Sequence, residues 1–203
     1  MFRSSTSLAS CFCSLKRALC FKECSLFSTI IDEEIKLSLI QESFAPMYLE
    51  LVKENFVYLE KWLAWPPHCE NKQDFISFIR KSLHDYADGK SMVCGIWFNE
   101  KLVGNVSFNT INHELKKVEI GYWLIESVQG NGIMTRVCKK LIDIAFSELE
   151  MHKIEISAAT ENLASRAVCE RLGMKLEGVI SNAENLNGRI VDHAIYGLHH
   201  TET

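Results

Sequence analysis

Apolar and polar residues alternate with a period of two over residues 118–124, and the spacing becomes helical over residues 134–149. Period two is typical of a β-strand, and apolar residues three and four apart are typical of an amphipathic helix. One face of the predicted strand carries Val118, Ile120, Tyr122 and Leu124, and the other carries Glu119, Gly121 and Trp123. Residues 129–132 between the two elements include two glycines. The centre of the chain is therefore predicted to be a strand, a short loop and a helix.

The same two periods predict the other elements. Strands are predicted at 34–39, 92–98, 102–109, 116–125, 153–158, 174–180 and 189–198, and helices at 46–55, 56–62, 71–88, 132–148 and 163–172. Ser43 is the predicted N-cap of the first helix, and Asn71 or Asp74 that of the third. The strands on either side of the central helix should pair in parallel through a right-handed crossover. The expected fold class is α/β, with a mixed, mostly antiparallel central sheet flanked by helices in a single domain.

The composition is that of a globular protein of ordinary size. The chain has 203 residues, of which 47% are hydrophobic and 24% are charged, and this length suits one domain with one sizeable core. The formal net charge of −4 gives no reason to expect nucleic acid or an anionic membrane as a partner. No apolar run approaches the roughly 18 residues that are needed to span a bilayer.

Residues 1–30 differ from the rest and are predicted to be an N-terminal extension, which leaves 31–203 as the domain. The extension is rich in serine, contains Arg3, Lys16 and Arg17, and has Glu23 as its one acidic residue. Organelle transit peptides and disordered extensions share this composition, so both interpretations stay open.

No metal site is expected from the cysteines and histidines. The cysteines lie at positions 11, 13, 20 and 24 in the extension and at 69, 94, 138 and 169 in the domain. Those of the domain stand far apart in apolar segments and are expected to be reduced core residues. The spacing in the extension fits no common zinc pattern. His199 and His200 are adjacent, so on an extended chain they would point in opposite directions.

The loop at residues 129–132 has the features of an anion site. Glycine lets the backbone approach a ligand closely, and the free N–H groups at the start of a helix attract negative charge. Gly130 and Gly132 would therefore allow a phosphate to bind at the start of the predicted helix. A strand-to-helix turn without a ligand would show the same glycines, and the loop is neither a Walker A motif nor a complete dinucleotide-binding fingerprint.

Three blocks of sequence, in order, resemble the GNAT acetyltransferases. The first, Gln129-x-x-Gly132-x-Met134, resembles their pyrophosphate loop, with Met134 where glycine or alanine is usual. The second, Asn162-x-x-Ser165 followed by Leu-Gly-Met at 172–174, resembles their Asn-x-x-Ser and Leu-Gly-Phe segments. The third, residues 176–198 with Asp192-His193, resembles the RimL-like branch, the ribosomal-protein-serine acetyltransferases. The resemblance covers about residues 35–198 and implies the GNAT fold.

The resemblance implies acetyl-CoA as the cosubstrate. The residues implied in binding it are Leu124, Ile125, Gln129, Gly130, Asn131, Gly132, Ile133, Met134, Asn162 and Ser165. The loop would hold the pyrophosphate, and Asn162 would hydrogen-bond the pantetheine arm while also capping the helix that follows. Backbone groups of Leu124 and Ile125 would contact pantetheine and polarise the thioester carbonyl.

Acetyl transfer needs a base for the amine and a proton for the leaving thiolate, and it needs no acyl-enzyme. The resemblance implies Ser165 as the acid and Glu184 as the base. Glu119 is the alternative base, because other GNAT members use a glutamate on the central strand. Judged from the residues alone, Ser165 is an ordinary serine in a first helical turn, and Glu184 is an ordinary surface residue before an Asn-Gly turn.

The expected function is direct transfer of the acetyl group of acetyl-CoA to a protein amine, in particular an N-terminal α-amine of a ribosomal protein. A small-molecule amine is the alternative acceptor, and a deep, closed acceptor pocket would favour it. A non-catalytic acyl-CoA sensor is the alternative class, because Met134 could crowd the phosphates. The expected location is cytoplasmic, or an organelle if the extension is a transit peptide. Homodimers are common in the RimL-like branch.

Overall fold

Residues 28–200, which the computed structural model describes, form an eight-stranded sheet with helices on both faces. The strands are β1 (Ser28–Ile30), β2 (Ile35–Leu39), β3 (Met92–Phe98), β4 (Lys101–Asn112), β5 (Lys117–Leu124), β6 (Lys153–Ala159), β7 (Lys175–Leu186) and β8 (Arg189–His199). The α-helices are α1 (Ala45–Glu54), α2 (Phe56–Leu59), α3 (Lys72–Ala87), α4 (Ile133–Ser147) and α5 (Leu163–Arg171). The expected α/β fold class with a mostly antiparallel sheet is confirmed.

A gap between β5 and β6 divides the sheet. The order of strands is β1-β2-β3-β4-β5-β6-β8-β7, and β5 with β6 is the parallel pair that the sequence predicts across α4. These two strands pair only from Lys117 with Lys153 to Glu119 with Glu155. Beyond that point β5 continues to pair with β4, and β6 with β8, but β5 and β6 no longer pair with each other, so an opening forms between them after Glu119.

Each face of the sheet packs on its own hydrophobic core. The core on the α4 side includes Val118, Ile120, Val137, Leu141 and Ile154. The core on the other side is built from α1, α3 and the first strands, and includes Tyr48, Phe75, Ile79 and Val93, with Trp123 packed against it. Successive residues of β5 therefore contribute to opposite cores, which confirms the two faces predicted for this strand.

The helix caps agree with the sequence at α3 and differ at α1. Asn71 caps α3, and Asp74 completes a capping box with it, so both candidate residues take part. Ser43 is not the cap of α1, because it lies in a short 3₁₀ turn that precedes the helix. Burial of Phe44 fixes the entry to this helix, and Pro46 in the first turn has no N–H group that requires a cap.

The sheet begins inside the segment predicted as the extension, because β1 pairs with β2. The rest of that segment, with its cysteines and the transit-peptide interpretation, lies outside the described residues. The domain's cysteines are free, and three of them are buried, as predicted; burial raises the pKa of Cys94 to about 12. Residues 28–200 contain no group of three metal-ligating side chains, and none of their helices is both long and apolar enough to cross a membrane.

Candidate active site

The opening between β5 and β6 belongs to a continuous cavity of about 1240 Å³ that is lined from both faces of the sheet. We call one part the helix half; it is lined by the start of α4, by α5 and by Tyr122 and Leu124. We call the other part the aromatic half; it is lined by Tyr58, Trp62, Trp65, Phe78 and Trp123. A molecule that extends from one half to the other would pass through the sheet.

The loop before α4 is open towards the helix half. Gly130 and Gly132 have φ angles of +80° and +68°, and a Cβ on either would meet nothing within 4 Å. Gly132 is the N-cap of α4, and no side chain caps the helix there. The first N–H groups of α4 therefore remain free of a capping side chain, as an anion site requires. Asn131 supports the loop from within, since its side-chain amide donates to the Val128 carbonyl at 3.0 Å.

The two large side chains at this loop, those of Met134 and Gln129, have contacts away from the first N–H groups of α4. Met134 is only 8% exposed and packs with Ile133 in the core on the α4 side. Most of the Met134 side chain is thus turned into the core, although the residue also lines the cavity, and this weakens the reason for a sensor. Gln129 points the other way, and its side-chain amide donates to the hydroxyl of Tyr58 in α2.

Leu124 and Ile125 differ in whether their backbone N–H and C=O groups are free to bind a ligand. The N–H of Ile125 donates to the Val103 carbonyl at 3.0 Å, so this amide is already used within the sheet. Because hydrogen bonding alternates along an antiparallel ladder, the backbone groups of Leu124 point away from β4 and into the gap. Leu124 also lines the cavity. Of the two residues, Leu124 is therefore the one with backbone groups available to a ligand.

Ser165 lies in the helix half with a partner that the sequence did not reveal. Asn162 caps α5 by accepting the Ser165 N–H at 3.1 Å, and both side chains line the cavity. The Ser165 Oγ lies 2.9 Å from the Tyr122 hydroxyl. Burial raises the pKa of Tyr122, so its phenol stays protonated and can donate to Ser165. The strand pattern identified Tyr122 only as an apolar residue, because its contact with α5 depends on long-range packing.

Both candidate bases line the cavity on the aromatic side. Glu184 shares a face of its strand with Leu186, which packs with Trp62. One oxygen of Glu184, Oε2, lies 3.1 Å from Nε2 of His193. Glu119 shares a face of β5 with Trp123 and occupies the last paired position before the gap. Within residues 28–200, Glu119 has neither a hydrogen-bond partner nor an ion-pair partner for its side chain.

A bulge in β4 places a polar group beside Glu119. The pairing of β4 with β5 shifts between Phe108 and Thr110, which leaves Asn109 as the extra residue. The Ser107 hydroxyl donates to the Asn109 Oδ1 at 2.6 Å. A Cβ on Gly121 would lie 2.4 Å from the Asn109 amide nitrogen, so only glycine leaves room for this side chain. Bulges are not visible in hydrophobic periodicity, and the sequence pattern missed this group.

Arg171 is the one lysine or arginine among the described residues that line the cavity. Its Nε donates to the Thr135 hydroxyl at 3.2 Å, in the first turn of α4. Arg136, the neighbour of Thr135, is instead neutralised by Asp32 and Glu34 at 2.8 and 2.9 Å. Arg171 has no carboxylate partner among residues 28–200, so its charge is available to an anion in the helix half.

The turn between β7 and β8 is hydrogen-bonded to residues 60–65 beside the aromatic half. We call these two segments together the roof. The Asn187 side-chain amide donates to the carbonyls of Glu60 and Leu63, each at 3.3 Å. The Arg189 guanidinium donates to the Lys61 carbonyl at 2.6 Å. Trp62 packs against a small cluster formed by Ala159, Leu186 and Val191. The roof joins the two sides of the divided sheet above the cavity.

Comparison with known proteins identifies the class to which this fold and cavity belong. Residues 36–175 match the acetyltransferase (GNAT) domain family, and the chain therefore belongs to the GNAT acetyltransferases. The ribosomal-protein-serine acetyltransferase of Escherichia coli (strain K12) is 30% identical over 166 residues, which cover 82% of this chain and 93% of that relative.

Two solved structures show the same fold with ligands. The microcin C7 self-immunity acetyltransferase MccE, in complex with acetyl-CoA and AMP, has a TM-score of 0.79 and 35% identity, covering 83% of this chain and 94% of its own. RimL, the ribosomal L7/L12 α-N-protein acetyltransferase, in complex with coenzyme A, has a TM-score of 0.82 and 28% identity, covering 85% and 97%. The resemblance to the RimL-like branch is confirmed, and the protein is an acetyl-CoA-dependent N-acetyltransferase.

Proposed function

We propose that the protein acetylates the N-terminal α-amine of a protein, with a ribosomal protein as the favoured substrate. The observation that carries this proposal is the division of candidate groups across the gap. Ser165 and the open loop lie in the helix half, whereas Glu184 and Glu119 lie on the aromatic side. An acyl donor held at α4 would present its acetyl group to an amine entering from the opposite face. The relatives named for ribosomal-protein acetylation support this choice of acceptor.

In the proposed mechanism each residue handles one proton or one contact. Acetyl-CoA supplies the acetyl group and leaves as a thiol. Glu184 accepts a proton from the acceptor ammonium, so that the neutral amine can attack. Ser165 donates its hydroxyl proton to the departing sulfur and regains one from the attacking amine, which loses its second proton as the amide forms. Tyr122 stays protonated and holds the Ser165 hydroxyl in place through their hydrogen bond. The backbone N–H of Leu124 faces the gap, where it can stabilise negative charge on the carbonyl oxygen.

A small-molecule amine is the second candidate acceptor. The roof favours it, because its hydrogen bonds fix Asn187 and Arg189 to residues 60–65, which include residues that line the aromatic half and could contact a small ligand. The sensor alternative is weakened, because most of the Met134 side chain is turned into the core. A cytoplasmic location and a homodimeric assembly remain predictions from the sequence.

A thiol-release assay with acetyl-CoA and a panel of acceptors tests the proposal. The panel consists of Ser-initiated peptides, N-terminally blocked lysine peptides, polyamines and aminoglycosides. We expect release with Ser-initiated peptides and a strong loss of release in Ser165→Ala. Release only with the small amines would transfer the function to the second candidate. Tight binding of acetyl-CoA without release from any acceptor would overturn catalysis by this chain.

Arg171→Met is expected to raise KM for acetyl-CoA by roughly 10- to 100-fold and to leave the turnover number nearly unchanged. A hydrogen bond to a charged group contributes about 1.5–3 kcal/mol, and no second lysine or arginine of the described cavity lining could replace it. Steady-state kinetics with acetyl-CoA and with acetyl-pantetheine, which lacks the phosphates, provide the measurement.

The expected KM for acetyl-pantetheine is the same in Arg171→Met and in the wild type. Arg80→Met is the matched control, because Arg80 is an exposed arginine paired with Glu42 and does not line the cavity. Equal losses with both acyl donors would show that Arg171 supports the structure and binds no phosphate.

A further inference from the structure

Asp192 and His193 form a conspicuous pair in the sequence and have no part in the mechanism above. Both lie on β8, and both contact the part of β7 that carries Glu184. The backbone carbonyl of Asp192 accepts the Thr160 N–H at 2.9 Å, which fixes β8 to the segment after β6. The pair therefore sits on a firmly held strand beside the candidate base.

The carboxylate of Asp192 holds a bulge immediately before Glu184. Ile180 pairs with His193 and Glu184 pairs with Val191, so residues 181–183 of β7 lie opposite Asp192 alone. Asn182, in the middle of the bulge, has a φ of +51°, a left-handed conformation that costs energy in a residue other than glycine. Its N–H donates to Asp192 Oδ1 at 2.9 Å. A bulge re-aims the residues that follow it, and Glu184 is the first residue that pairs again.

The side chain of His193 forms a direct hydrogen bond with the carboxylate of Glu184. Nε2 of His193 lies 3.1 Å from Glu184 Oε2, and both side chains line the cavity. For an ionised Glu184 to accept this hydrogen bond, Nε2 of His193 must carry the hydrogen. The contact occupies Oε2, and Oε1 has no partner among the described residues. The free oxygen is the one left for the acceptor amine.

We propose that Asp192 and His193 are positioning residues for Glu184, one acting through the backbone and the other through the side chain. Asp192 stabilises the left-handed bulge that brings Glu184 to the cavity. His193 fixes the carboxylate so that Oε1 faces the amine, and it keeps its own Nε2 hydrogen while Oε1 takes the amine proton. This inference rests on the proposed function, because it assumes that Glu184 is the base.

Two substitutions of His193 distinguish the effect of its Nε2 hydrogen-bond donor from the effect of the size of its side chain. The glutamine amide nitrogen takes the place of Nε2, whereas the shorter asparagine amide takes the place of Nδ1. We expect His193→Asn to lower the turnover number with Ser-initiated peptide about 10- to 100-fold, and His193→Gln to keep most of the activity. For the backbone contact, Asp192→Ala should lower the rate, and Asp192→Asn should keep it, since the asparagine oxygen still accepts the Asn182 N–H.

A double-mutant cycle shows whether His193 acts through Glu184. The variant with both His193→Asn and Glu184→Gln is expected to be no slower than Glu184→Gln alone, within about twofold. Acetyl-CoA affinity and Tm should stay close to the wild type in the single variants.

Two results would overturn the inference in different ways. Additive losses in the double variant, or equal activity of His193→Asn and the wild type, would show that His193 does not act through Glu184. If Glu184→Gln alone left the turnover number unchanged, the assignment of the base would fail, and the positioning role would fail with it. Thiol release with the peptide panel would still report separately on the acceptor.

Discussion

Glu184→Gln is expected to lower the turnover number by about 10²- to 10⁴-fold and to leave the affinity for acetyl-CoA within a factor of about two. Glutamine has nearly the same shape as glutamate, but it cannot accept the proton of the acceptor ammonium. The side chain lies on the aromatic side of the cavity, away from the open loop at α4, so the acyl donor should bind as before. Single-turnover kinetics and calorimetric titration with acetyl-CoA would measure the two effects separately.

Glu119→Gln is the matched control for this substitution, because Glu119 is the other carboxylate that lines the aromatic side. We expect it to change the turnover number by less than Glu184→Gln does. Glu184 is held by His193, whereas the side chain of Glu119 has no partner within residues 28–200. A larger loss in Glu119→Gln would transfer the role of base to Glu119.

Phe108→Ala is expected to lower the free energy of unfolding by about 3–5 kcal/mol. Phe108 is 0% exposed and lies in the core on the α4 side, next to the bulged Asn109. Removal of a buried aromatic ring leaves a cavity that the surrounding strands fill only in part. Urea denaturation followed by circular dichroism would measure the change in the free energy of unfolding.

The comparison for this prediction is Leu115→Ala, because Leu115 is 68% exposed in the turn between β4 and β5. Its substitution should change the free energy of unfolding by no more than about 0.5 kcal/mol. A loss below about 1 kcal/mol in Phe108→Ala would mean that the core on the α4 side collapses into the space, contrary to the close packing expected of a buried core.

The sequence predicted those parts of the fold that depend on local pattern. The period of two in β5, the helical spacing in α4 and the parallel pairing across them were all correct. The cap at Asn71 was also visible, because capping residues act over three positions. Ser43 was wrong as a cap, because the burial of Phe44, a tertiary effect, decides where α1 begins.

Features that depend on long-range register were not visible in the sequence. Nothing local shows that β8 lies between β6 and β7, or that β5 and β6 separate after Glu119. The bulge at Asn109 and the contact of Tyr122 with Ser165 depend on the same register. Arg171 had no motif of its own, and its proposed role follows only from the absence of other positive charge in the described lining of the cavity. The resemblance proposed Ser165 and Glu184, which lie far apart in the sequence, and the structure shows that both line the cavity.

The roof over the aromatic half bears on how such an enzyme can change its acceptor in evolution or in engineering. Its hydrogen bonds run from Asn187 and Arg189 to backbone carbonyls of residues 60–65. The bonds are accepted by backbone carbonyls, so they place no demand on the side chains of Glu60, Lys61 and Leu63. Trp62, in contrast, is held by the packing of its side chain. Substitutions around Glu60 and Lys61 can therefore alter the acceptor side while the donors Asn187 and Arg189 and the start of α4 are left unchanged. A change of acceptor by this route would leave Ser165 and Glu184, the proposed catalytic residues, in place.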